Sequence, residues 1–146
     1  MRQFIKASLG VAAAAALSFS LAGSAIAAEK SLYDRLGGKP ALQAVVGELW
    51  NNVAADKRIN GRFAKTKADA FGAQLVDFLC QASGGPCKYA GKDMNAAHKG
   101  MNLSEGEFNA LAEDTVKALD KFKVPAQEKG EVMGLLGSLK GAVINK

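Results

Sequence analysis

The 146-residue chain carries one histidine, His98, in the segment Met94-Asn95-Ala96-Ala97-His98-Lys99-Gly100-Met101. Neutral imidazole is the commonest protein ligand for transition metals, so a lone histidine narrows the chemistry sharply. One imidazole excludes a two- or three-histidine metal site within a single chain. Three roles remain: a single axial ligand to a metal that arrives already chelated, such as haem, a packed structural histidine, or a lone general base. The chain also holds two cysteines, Cys80 and Cys87, on either side of Gly84-Gly85-Pro86. One histidine and two distant cysteines do not make the four-ligand set of a structural zinc site. As a pair, the cysteines can form a disulfide, remain free thiols, or act as a redox couple.

These residues must be positioned by a chain whose first segment reads as an address. Arg2 and Lys6 precede an apolar run from about Leu9 to Leu21, followed by Gly23-Ser24-Ala25-Ile26-Ala27-Ala28. This is the charged, apolar and small-residue order of a secretory signal peptide, with cleavage expected after Ala27 or Ala28. The competing reading is an uncleaved membrane anchor, because the apolar run is almost long enough to span a bilayer. Removing residues 1–28 leaves one domain over 29–146, with 17 basic against 14 acidic residues. That surplus is too small and scattered for nucleic-acid binding. Lys65, Lys67, Lys88, Lys92 and Lys99 read as a solvated surface that can also meet an acidic partner or an anionic part of a ligand. An even cysteine number in an exported chain favours a Cys80–Cys87 disulfide.

The remaining sequence reads as all-α. Leu42, Val45, Val46, Leu49 and Val53 recur at helical spacing after Gly37-Gly38, with Pro40 suited to a first helical position. Phe71, Leu75, Phe78, Leu79 and Ala82 define a second helix ending at Gly84-Gly85-Pro86. Ser104 and Glu107 form a capping box ahead of Phe108, Leu111, Ala112, Thr115, Leu119 and Phe122. Pro125 opens a last helix with Val132, Leu135, Leu136, Leu139 and Val143 inward. Residues 86–100, which include His98, read as poorly helical, leaving a gap that a flat apolar cofactor would fill.

Over nearly the whole of this region the chain resembles the group I truncated haemoglobins, the two-over-two globins. The resemblance rests on Leu32-Tyr33-Asp34-Arg35-Leu36-Gly37-Gly38, Arg62-Phe63, Gly84-Gly85-Pro86 with Tyr89-Ala90-Gly91, Asp93 to Gly100, and Val124-Pro125. It implies a two-over-two helical sandwich around one non-covalent haem b per chain, with His98 as proximal iron ligand. Met94 lies one turn before His98 and Gly100 follows it, which suits a ring lying against a porphyrin. Phe63 is implied to lie on the macrocycle, a role compatible with ordinary core packing. The absence of Cys-x-x-Cys-His argues against c-type attachment. A Cys80–Cys87 bridge would brace the segment leading to the iron ligand.

The distal side departs from the family. The usual tyrosine position is Trp50 and the usual glutamine position is Leu75, with Phe71 one turn before and Gln74 beside it. Trp50 either fills the core or turns its single N–H donor towards a bound ligand. Gln74 is either solvated or reaches the pocket or a haem propionate. The position of the family's tunnel gate is Leu79, next to Phe78. A pocket short of donors is expected to bind dioxygen weakly and to favour CO and NO. Bis-histidine ligation within one chain is impossible, which leaves methionine or lysine open as a sixth ligand.

Two function classes follow. One is a gas-binding haemoprotein for dioxygen, NO or CO, with oxygen transport, storage, scavenging or sensing as its uses. The other is an NO dioxygenase or peroxidase-type redox enzyme fed by a periplasmic electron-transfer protein. An exported chain would be periplasmic or secreted, out of reach of cytoplasmic NAD(P)H. A third, bland reading is a haem-free globin-like domain.

Overall fold

The computed structural model describes residues 28–146, so the expected signal peptide lies, except for Ala28, outside the described residues. Those residues form α1 (Leu32–Leu36), α2 (Gly38–Ala55), a 3-10 turn at Asn60–Phe63, α3 (Ala68–Ala82), α4 (Met94–His98), α5 (Glu105–Lys121), α6 (Ala126–Ser138) and α7 (Lys140–Val143). The β-structure among them is an isolated bridge between Leu103 and Ile144.

α2 is the central element and packs on both α3 and α5, while α5 packs on α6 and α1 closes over α2 and α6. All five apolar positions expected on α2, Leu42, Val45, Val46, Leu49 and Val53, are buried. The capping box of α5 is formed, with Ser104 and Glu107 each satisfying the other's backbone N–H. Arg35 ties α1 to α6 through Glu128 at 2.8 Å and Glu131 at 2.6 Å.

Several expectations need correction. The helix after Gly37 starts at Gly38, so Pro40 is its third residue. It is tolerated there because first-turn N–H groups have no intrahelical partner. The stretch 86–100 is not wholly irregular: Asp93 caps α4, its side chain accepting from the Ala96 N–H at 3.0 Å. A second short helix, α1, is capped in the same way by Ser31. The last helix is broken at Leu139 into α6 and α7. Gly130, Gly134, Gly137 and Gly141 lower helix propensity along this stretch, and α7 turns to pack against α4.

Faces also shift. On α3 the fully buried residues are Val76 and Cys80, whereas Phe71, Leu75, Phe78 and Leu79 are half-buried and Ala82 is exposed. Phe122, expected inward, is 44% exposed because it caps the end of α5, beyond its packed face. Two core clusters result, one centred on α2, α5 and α6 and one on α2 and α3, with half-buried Leu36 and Leu75 touching both.

Candidate haem site

His98 is the last residue of α4 and is half-buried. Its Nδ1 lies 2.8 Å from the Met94 carbonyl oxygen. A carbonyl can only accept, so Nδ1 carries the proton and donates, and Nε2 is the ring nitrogen left free to act as a ligand. A fixed ring orientation with Nε2 free is what an axial ligand needs. Met94 itself is half-buried and contributes its backbone oxygen. Beyond α4 the chain turns at Gly100, whose φ of +80° lies in the region glycine adopts freely. The Met101 N–H donates back to the His98 carbonyl at 3.0 Å.

Three elements bring Trp50, Phe63 and Phe71 together. Their ring centroids lie 6.1 Å apart for Trp50–Phe63, 5.7 Å for Trp50–Phe71 and 5.5 Å for Phe63–Phe71. All three rings remain half-buried. Large aromatic surfaces gain most when fully removed from water, so a half-buried triad offers an apolar wall with area still to bury. Leu75 and Leu79 pack beside it against the α2–α3 cluster. Gln74 is exposed, one residue round the helix from Leu75. Trp50 also lines a groove of about 440 Å³ between α2 and α3, with Gly47, Gly72 and Ala73 among its walls.

Arg62 joins the two halves of the site. Its guanidinium donates to the Met101 carbonyl at 3.2 Å and to Glu107 at 2.6 Å. The residue before Phe63 therefore holds the turn that follows His98. Arg62, reinforced by the Ser104 backbone N–H, holds the Glu107 carboxyl down at about 2. Nothing in the sequence around Arg62 marks it for this task. Its contacts span 39 and 45 residues and leave no local signature.

Cys80 and Cys87 are joined by a disulfide, with Cα atoms 5.7 Å apart. Cys80 is fully buried and Cys87 half-buried. Among the described residues, no group of three His, Cys, Asp or Glu side chains is placed to hold a bare metal ion. A single preoriented imidazole, together with an incompletely buried aromatic wall, fits a flat apolar metal chelate such as haem.

Comparison with known proteins identifies the family and the fold. The family model of the bacterial-like globins matches residues 31–145. A group 1 truncated haemoglobin of Nostoc is 35% identical over 116 residues, covering 80% of this chain and 98% of the relative. A group 1 truncated haemoglobin of Tetrahymena pyriformis is 39% identical over 95 residues, covering 65% of this chain and 78% of the relative. The crystal structure of truncated haemoglobin from T. pyriformis in its Fe(III) form superposes with a TM-score of 0.77 at 33% identity, covering 80% of this chain and all of that one. A Synechococcus 2/2 haemoglobin, described in the cyanomet state with covalently attached haem, gives a TM-score of 0.74 at 32% identity and the same coverage.

Proposed function

This chain belongs to the bacterial-like globin family, among the group 1 truncated haemoglobins, and from that premise we propose that it binds diatomic gases reversibly at the iron of one non-covalent haem b held by His98. The observation that carries this reading is the Nδ1–Met94 carbonyl bond, which leaves Nε2 free to serve as the axial ligand. When bound, haem supplies an iron with one coordination position for dioxygen, NO or CO. The chain's own residues do the rest. The Met94 carbonyl sets the orientation of the His98 ring, Phe63, Phe71 and Trp50 supply apolar area, and Leu75 and Leu79 exclude water from the distal side.

Reversible binding is preferred to NO dioxygenation because Leu75 brings no hydrogen-bond donor and Trp50 lies against Phe63 and Phe71. A stable oxygenated complex gains from distal donors, each worth about 0.5–1.5 kcal/mol. We place the chain in the periplasm or outside the cell. The order of residues 1–28 supports this, as does the Cys80–Cys87 disulfide, since such bonds persist in oxidising compartments. A redox role there would need a periplasmic electron donor. The test is the optical and resonance Raman spectrum of the ferric, ferrous and CO forms, with His98→Ala alongside. A variant that keeps full haem and a normal histidine–iron stretch would overturn the assignment.

A further inference from the structure

We infer that the Cys80–Cys87 disulfide is a positioning element for His98, so that its reduction loosens the iron ligand and the grip on haem. This deepens the haem reading and rests on it.

The argument starts with the weakness of α4. Five residues with no buried side chain do not make a self-sustaining helix. The bearing of His98 is therefore set by α7, which packs on α4, and by what holds the two ends of the helix. The far end is held by Arg62 on Met101. The near end hangs on residues 84–92, which lie between α3 and α4 without regular helix.

Those residues are stitched to the last turns of α3. The Gly85 N–H donates to the Cys80 carbonyl at 2.7 Å. The Tyr89 N–H donates to Gln81 Oε1 at 2.8 Å, and the Tyr89 ring meets Phe78 edge-on at 5.3 Å. The Tyr89 hydroxyl donates to the Lys92 carbonyl at 2.8 Å, next to Asp93, the cap of α4. The disulfide is the covalent member of this seam. Gly85 is pressed so closely on it that a Cβ would stand 2.7 Å from Cys80 Sγ and 2.6 Å from the Tyr33 ring.

The bridge thus links α3, which carries Phe71, Leu75 and Leu79, to the lead-in of the helix that carries His98. Opening it leaves single non-covalent contacts to fix the near end of α4. Cys87 is the partner in contact with solvent. A dithiol of the thioredoxin-like class attacks Cys87 Sγ, the S–S bond breaks, and Cys80 leaves as a thiolate and takes a proton. The donor's second thiol then releases Cys87. The donor ends as its own disulfide, and the chain gains two electrons and two protons.

The experiment compares the haem-loaded ferrous protein, bridge closed, with the same protein after anaerobic phosphine reduction and with Cys80→Ser/Cys87→Ser. Expected is a shifted or broadened histidine–iron Raman band and haem transfer to excess apomyoglobin about ten-fold faster. In the haem-free chain, the Cα chemical shifts of Met94–His98 move towards coil when the bridge opens. An unchanged band, transfer rate and shift set overturns the inference. If the double variant does not fold, the reduced natural chain carries the comparison. A histidine-ligated haem indifferent to the bridge refutes this inference alone, whereas a chain that takes up no haem refutes both readings.

Discussion

The imidazole Nδ1 of His98 donates to the carbonyl of Met94 across 2.8 Å, one turn back on the same short helix. This bond fixes both the tautomer and the direction of Nε2. It predicts that His98→Gly supplied with free imidazole will regain a five-coordinate haem. The rescued histidine–iron band should be broader than in the natural protein, because the free ring has no covalent tie to α4. Haem affinity without imidazole should fall by at least about ten-fold. A sharp, unshifted band on rescue would show that the covalent tie to α4 adds nothing to the ring's orientation.

Distal polarity gives a second prediction. Leu75 stands on the α3 face beside the Trp50–Phe71 pair, where it packs against both core clusters. Leu75→Gln puts an amide donor there and is expected to slow dioxygen release about ten-fold, the equivalent of one good hydrogen bond. CO release should change much less, because bound CO carries less charge. Stopped-flow displacement measures both rates. Equal effects on the two gases would mean that Leu75 acts by volume alone.

The acid limb of the stability curve follows from Glu107 and Asp56. Arg62 holds the first at about 2, and Arg58 holds the second at about 2. Both lie below the unfolded carboxyl range near 4, so the folded chain binds fewer protons there. Their contribution is fully present above about pH 4 and is lost as pH falls towards 2. Arg62→Ala should therefore cost stability at neutral pH, and that difference should close as the solution is acidified. Denaturation at a series of pH values reads this directly, and a difference constant down to pH 2 would refute it.

Asp114 is completely buried on α5, and its Oδ2 has no hydrogen-bond partner among the described residues. Its other oxygen meets Lys117 at 2.9 Å, a side chain that is 60% exposed. Only the carboxylate is buried, so replacing it removes the desolvated charge and leaves the Lys117 ammonium in water rather than as an uncompensated buried charge. Asp114→Val, closer to aspartate in volume, is expected to raise unfolding free energy by about 1 kcal/mol. Urea denaturation decides, and a loss of stability would mean that the carboxylate serves the fold.

Two glycines should respond in opposite directions. A Cβ at Gly85 collides with Tyr33 and Cys80, whereas at Gly130, inside α6, it meets nothing within 4 Å. Gly85→Ala should cost about 1–3 kcal/mol through overpacking. Gly130→Ala should add about 0.5–1 kcal/mol from helix propensity. Melting both variants in parallel tests the pair.

The long helices were legible because α2, α3 and α5 repeat their apolar residues over many turns. α1 and α4, with five residues each, are too short to show a period. A single capping residue marks each, Ser31 and Asp93, and one polar residue does not tell a helix start from a turn. On α3 the sequence pattern named the half-buried face, Phe71, Leu75 and Leu79, because buried Val76 and Cys80 lie one residue further round. His98 stood out as the sole imidazole, and the glycine turn marked where the cysteines could meet. The Arg62 link could not be read, since nothing local joins residue 62 to residues 101 and 107.

The pairing of Leu103 with Ile144 has a kinetic meaning. The Asn102 N–H donates to the Lys146 carbonyl and the Asn145 N–H to the Leu103 carbonyl, each at 3.0 Å. The strip just behind His98 thus finds its partner some forty residues downstream. A chain still emerging from a ribosome or a translocation pore has α2 and α3 long before it has residues 144–146. Vectorial emergence therefore makes the elements of the aromatic side available first, and the contacts that close the histidine side must wait for the last residues of the chain.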